Sequence, residues 1–218
     1  MIAAVYLVIT LGTSIAALCY LHTLNHDTIN PLAWSLIGFL CVNILICLWE
    51  FCLCYNYEYI RSVYRQRVKD EKPLGPIVIF KHLPLKQLLS PNFWSHIWID
   101  YARYDPSYVD NKTAGYCIDV GNGHLTLLPS AFLIFNMIRP SCEPRWIGMV
   151  GLLLYYQTFY GSLLYIYSFV NLKRFRGLKA ADIVTKVVLP NGIWVVFPVI
   201  GLWASYRVIL SGSCEIFL

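Results

Sequence analysis

Two acids, an asparagine and a tryptophan stand out in this chain because each lies in a stretch that is otherwise soluble in lipid. Asn191 and Trp194 fall about one helical turn apart in Val187-Val-Leu-Pro-Asn-Gly-Ile-Trp-Val-Val-Phe-Pro198, Glu50 sits in Ile46-Cys-Leu-Trp-Glu-Phe51, and Asp119 in Tyr116-Cys-Ile-Asp-Val120. Polar groups at such depth are costly, and an ionisable group inside a membrane segment is by default a candidate functional residue. The chemistry these residue types support together is proton transfer in a dry site. An apolar cavity favours the neutral form of a carboxylic acid, which makes Asp119 the candidate proton donor and leaves Glu50 to accept a departing proton. A positive charge developing on carbon finds no water there, but the face of an indole stabilises it by about 2 kcal/mol or more when desolvated. Trp194 is the candidate for that, with Tyr160 and Tyr165 in support, and Asn191 is placed to orient the acid or a substrate oxygen.

Each residue also has a plainer reading. Asn191 fits a hydrogen bond between helices, Trp194 alone fits packing, and Glu50 and Asp119 lie near enough to span ends to snorkel. His124, close to Asn122, is either a pocket residue or a helix-contact histidine. Cys41, Asn43 and Cys47 read as helix packing.

The elements that must position these groups follow from composition. Of 218 residues, 58% are hydrophobic and only 13% charged, against about 25% charged in ordinary soluble domains. About 20 apolar residues cross a hydrocarbon core, and five such runs are present: about 2 to 21, 31 to 55, 113 to 138, 146 to 172 and 183 to 210. The expectation is an all-α integral membrane protein of five transmembrane helices. Residues 1–30 form an anchor helix and connection, 31–210 a four-helix membrane domain and 211–218 a tail. The first run lacks the basic start of a signal peptide and reads as a retained anchor. The surplus charge of +5 is local to connections, the first basic residue being Arg61, and makes no case for nucleic acid. The eight cysteines show neither zinc spacing nor a disulfide framework, so no metal or cofactor is implied.

Five spans put residues 56–112 and 173–182 on one face. That face carries Arg61, Arg65, Arg67, Lys69, Lys72, Lys81, Lys86, Arg103, Lys112, Lys173, Arg174, Arg176 and Lys179, and the positive-inside rule makes it cytoplasmic. Pro73, Pro76, Pro84 and Pro91 break the long connection into short pieces. The spacing of Phe93, Trp94, Ile97, Trp98 and Tyr101 predicts an interfacial amphipathic helix over 93–104 that lids the bundle. Spans two, three and five all present their unusual residue about 8 to 12 Å from that face at 1.5 Å per residue, and span four brings Tyr160, Ser162 and Tyr165 nearby. A shared layer of this kind predicts a pocket for a largely apolar lipid.

The stretch Trp98-Ile-Asp-Tyr-Ala-Arg-Tyr-Asp105-Pro-Ser-Tyr108-Val, the Asp110-Asn111 after it and Cys117-Ile-Asp119 resemble the emopamil-binding protein family of the EXPERA superfamily. Phe159-Tyr160-Gly161-Ser-Leu-Leu-Tyr165 and Asn191-Gly-Ile-Trp194-Val-Val-Phe-Pro198 resemble that family's fourth and fifth spans. The likeness covers about residues 35 to 210. It implies an EXPERA-like bundle in the endoplasmic reticulum membrane, possible homodimerisation, and isomerase or cyclase chemistry on a sterol, terpenoid or meroterpenoid. In that chemistry an alkene is protonated, a carbocation held and a neighbouring proton removed. By the same resemblance Asp119, Glu50, Asn191 and Trp194 are catalytic. Tyr101, Asp105, Tyr108, Asn122, His124, Tyr160 and Tyr165 join them as candidate substrate-binding residues. Two departures bear on the reaction: Ile46 stands where the family has a histidine, and Asp119 where it has a glutamate. The competing expectation is a lipid-binding member without catalysis, as in the sigma-two-receptor branch.

Overall fold

The computed structural model describes residues 2–70 and 78–218; Lys72, Pro73 and Pro76 lie outside them. Among the described residues nine α-helices follow in order: α1 (Ala3–His26), α2 (Pro31–Tyr55), α3 (Tyr57–Lys69), α4 (Leu85–Leu88), α5 (Pro91–Tyr101), α6 (Ala114–Ile138), α7 (Pro144–Asn171), α8 (Ala180–Asp182) and α9 (Leu189–Ser211). The π-helical stretch Ile183–Val188 joins α8 to α9, so Ala180–Ser211 runs on as one helix. Among the described residues the only β feature is an isolated bridge between Ile2 and His82. Five helices of the described residues are long and apolar enough to cross a membrane, α1, α2, α6, α7 and Ala180–Ser211. The protein is a multi-pass, all-α membrane bundle.

The helix ends sit where local chemistry puts them. The Asn30 side chain accepts the Ala33 N–H at 3.0 Å ahead of Pro31, and Thr113 accepts that of Tyr116 at 3.4 Å, each capping donors that have no partner within their helix. Pro144 opens α7, where its missing N–H is harmless, and Gly212 closes α9 in the left-handed region at φ 62°.

Four spans make the core and one flanks it. Only 6% of the most apolar window of α1 is buried, against 50% for α2, so α1 is peripheral. Helices α7 and α9 approach closely because Gly201 lies beneath the Tyr155 ring and Gly148 against the Ser205 carbonyl, the small-residue packing that lets membrane helices touch. At the end opposite the long connection, the His22 Nε2 lies 2.6 Å from the Phe217 carbonyl, and Asn30 donates to the Ile216 and Leu218 carbonyls at 2.9 Å.

The long connection is more ordered than a proline-broken linker. The helix expected over 93–104 is observed as α5, Pro91–Tyr101, and a second helix, α3, precedes it. Helix α3 alternates Tyr57 and Ile60, which are buried, with Arg61, Arg65 and Arg67; its short apolar face is supplied by packing rather than by a hydrophobic run. Asn56 donates to Ser95 at 2.9 Å, the Trp98 indole to the Trp49 carbonyl at 2.7 Å, and Tyr57 to the Val109 carbonyl at 3.1 Å. These bonds tie α3, α5 and the turn Pro106–Val109 to the end of α2.

Candidate functional site

A cavity of about 600 Å³ opens between α2, α5, α6, α7 and α9, within the range of small-molecule sites. Of the eleven residues singled out by sequence, nine line it: Glu50, Tyr101, Tyr108, Asp119, Asn122, Tyr160, Tyr165, Asn191 and Trp194. The remaining wall is largely apolar, with Ile46, Ile97, Trp98, Ile118, Leu125 and Leu164. The expected layer exists, and α5 closes it with Ile97, Trp98 and Tyr101.

Glu50 does not snorkel. It is 3% exposed, and the Asn122 amide donates to both of its carboxyl oxygens, at 3.2 and 2.9 Å. The contact depends on Gly123, where an added Cβ would come within 2.8 Å of the Glu50 Cβ. Asp119 lies one turn away on α6, close enough to Glu50 for the two acids to interact electrostatically. The Tyr108 hydroxyl neighbours the Asp119 carboxyl. Burial pushes the phenols of Tyr101 and Tyr108 above their ordinary range, so both remain hydrogen-bond donors at physiological pH.

Asn191 lies beside Tyr101 of α5 and also turns back on its own helix. Its amide donates back to the Val187 carbonyl at 2.7 Å. One residue earlier, Pro190 has no N–H to return to the Lys186 carbonyl, and the Tyr101 hydroxyl takes that place from α5 at 2.8 Å. The π-helical turn is thus stitched to the lid, an arrangement frequent at functional sites. Proline at 190 was the signal for it in the sequence.

Trp194 is held from behind. Its indole N–H donates to the Asn43 Oδ1 at 3.0 Å, and the Asn43 amide donates to Thr126 and Ser130 at 3.0 and 3.1 Å. Asn43 is fully buried. In the sequence it reads as helix packing, and both its bonds to α6 and its grip on the indole needed the fold. Phe39 meets the Trp194 ring edge-on at 6.2 Å.

Two candidates need correction. His124 faces away from the cavity: it is exposed, its Nε2 lies 3.3 Å from the Tyr55 hydroxyl, and its ring meets Phe51 edge-on. Five residues after Asp119, it falls on another face of the helix. Asp105 is fully buried but serves structure, its Oδ1 accepting the Ser107 N–H at 2.9 Å and its Oδ2 pairing with Arg174 at 3.1 Å. That pair clamps the turn before α6 to the end of α7. Tyr160 keeps its place at the cavity edge, 49% exposed and stacked on Tyr156 at 5.7 Å.

Fold and site together define a multi-pass helical membrane protein with an internal aromatic cavity that holds two neighbouring carboxyl groups. Comparison with protein-family models, with curated proteins and with solved structures gives no match.

Proposed function

We propose that this protein is a membrane isomerase or cyclase of the emopamil-binding type, acting on a sterol, terpenoid or meroterpenoid in the endoplasmic reticulum membrane. The observation that carries the reading is the convergence of two acids and an anchored indole on one otherwise apolar cavity. In the proposed cycle Asp119 gives its proton to an alkene carbon, and the carbocation forms against the Trp194 face. A proton then leaves a neighbouring carbon for the Glu50 carboxylate, whose oxygens both face the Asn122 amide, and a new double bond or ring remains. The proton returns from Glu50 to Asp119 through their shared environment, restoring the starting state without oxidant, reductant or cofactor.

A second reading, lipid binding without turnover, is favoured by Ile46, an apolar residue in the cavity wall where the resembled family carries a group that titrates near neutrality. Lipids that co-purify with the wild-type protein, identified by mass spectrometry, supply the substrates for the test. Asp119→Asn should keep binding them and lose turnover. Turnover at the wild-type rate in that variant sinks the acid role; binding with no turnover by the wild type favours the second reading.

A further inference from the structure

Among the described residues of the cavity wall, Tyr165 alone carries a polar group that is buried and unpartnered. The side chain is 2% exposed and lines the cavity, yet its hydroxyl makes no hydrogen bond. The Tyr101 hydroxyl lies nearby but directs its own proton to the Lys186 carbonyl at 2.8 Å. Leaving a buried hydroxyl unpaired costs about 1 to 3 kcal/mol, and phenylalanine would fill the same space without that cost. Packing does not explain the hydroxyl: the ring already stacks with Phe169 at 6.4 Å and lies against Tyr108 at 6.5 Å, contacts a phenyl ring makes equally well.

We infer that the Tyr165 hydroxyl is the binding site for the alcohol oxygen of an otherwise apolar lipid. The phenol donates its proton to the ligand oxygen, and an alcohol, unlike a ketone, keeps a proton of its own to give to a second group. The surroundings take that proton, because Asn191 lines the same cavity and its side-chain oxygen is an acceptor. Tyr165 lies about 12 Å of helix rise from Gln157 along α7, and the cavity reaches both. The ligand therefore enters oriented, its oxygen at the α5 end and its hydrocarbon body running toward Gln157 and Trp194. The inference rests on reading the cavity as a lipid site, and not on the reaction proposed for it.

The test is binding by the purified full-length protein of matched probe pairs, cholesterol against cholest-5-ene and farnesol against farnesene, with cholest-4-en-3-one as the ketone arm. The wild type should bind at least one alcohol about tenfold more tightly than its hydrocarbon partner, the scale of one well-made hydrogen bond. Tyr165→Phe should reduce that preference to near unity without weakening the hydrocarbon. The ligand-free variant should melt at the wild-type temperature or above it, because no bond within the protein is lost. A lower melting temperature for ligand-free Tyr165→Phe, or an undiminished alcohol preference, overturns the assignment, as does a ketone bound as tightly as the alcohol. Failure of both pairs to bind overturns the lipid site itself. Alcohol-selective binding without turnover removes the isomerase reading and leaves this site standing.

Discussion

The two ends of the cavity differ in how their polar groups are satisfied. At the Trp194 end the Asn43 amide is bonded within the protein, to Cys47, Thr126, Ser130 and the indole, and Thr126 donates onward to the Asn122 carbonyl at 2.8 Å. At the tyrosine end Tyr101 is committed to Lys186, while Tyr165 has no partner. A network closed on itself fixes geometry; a buried group left open is available to a ligand. On the proposed reading the first end is a rigid cradle for a ring face and the second a reader of ligand oxygen. Glu50 on α2 and Asp119 on α6 line the same cavity.

The strongest way to break this division is to remove the acid. Asp119→Asn should lower turnover of a co-purifying lipid by about 10² to 10⁴-fold, the range for loss of a general acid, with binding of that lipid held within about threefold by the retained shape. A parallel loss of binding would show that Asp119 belongs to the ligand-reading end and not to the reaction. A comparable loss, but in stability, is expected at the clamp beneath the tyrosine end. Arg174→Ala leaves the fully buried Asp105 carboxylate unpaired, at about 3 to 5 kcal/mol. Thermal unfolding in detergent measures it. Partial recovery in Asp105→Asn/Arg174→Ala would confirm that the buried charge, and not lost packing, carries the cost.

How much of this was legible in the sequence varies with the range of the interaction. The five spans were legible because apolar length sets them, and their ends because Asn30, Pro31, Thr113 and Pro144 act locally. The shared layer was legible because strict alternation of span direction turns residue numbers into depth. Helix α3 was not, since its charged residues hide a narrow apolar face that only contact with α5 and the Pro106–Val109 turn reveals. Asp105 was misjudged for the same reason: its partner Arg174 lies 69 positions away, and no local pattern couples them. His124 was misjudged through nearness in sequence, although helical geometry already argued that it turns away from Asp119.

A smaller effect is expected where the closed network meets the cradle. Asn43→Ala removes the acceptor of a part-buried indole N–H and the donor to two hydroxyls, costing about 1 to 3 kcal/mol for groups left unsatisfied. If Asn43 acts by holding the indole, turnover should fall by about 10 to 100-fold with KM for the co-purifying lipid little changed, and the Trp194 fluorescence should broaden or shift. A rise in KM with kcat intact would mean that the cradle serves binding alone.

The smallest effect separates the lid from the ligand. Tyr101→Phe removes one neutral hydrogen bond, to the carbonyl that Pro190 leaves open, worth about 0.5 to 1.5 kcal/mol. Because that bond joins α5 to the turn preceding Asn191, its loss should raise amide exchange over Ile183–Val188 while leaving the alcohol preference of Tyr165 in place. Hydrogen exchange read by mass spectrometry tests the first half, and the cholesterol and cholest-5-ene pair tests the second. If Tyr101→Phe abolishes the alcohol preference without loosening the π-helical turn, then Tyr101 is itself the oxygen-reading group, and the division between a committed and an open tyrosine fails.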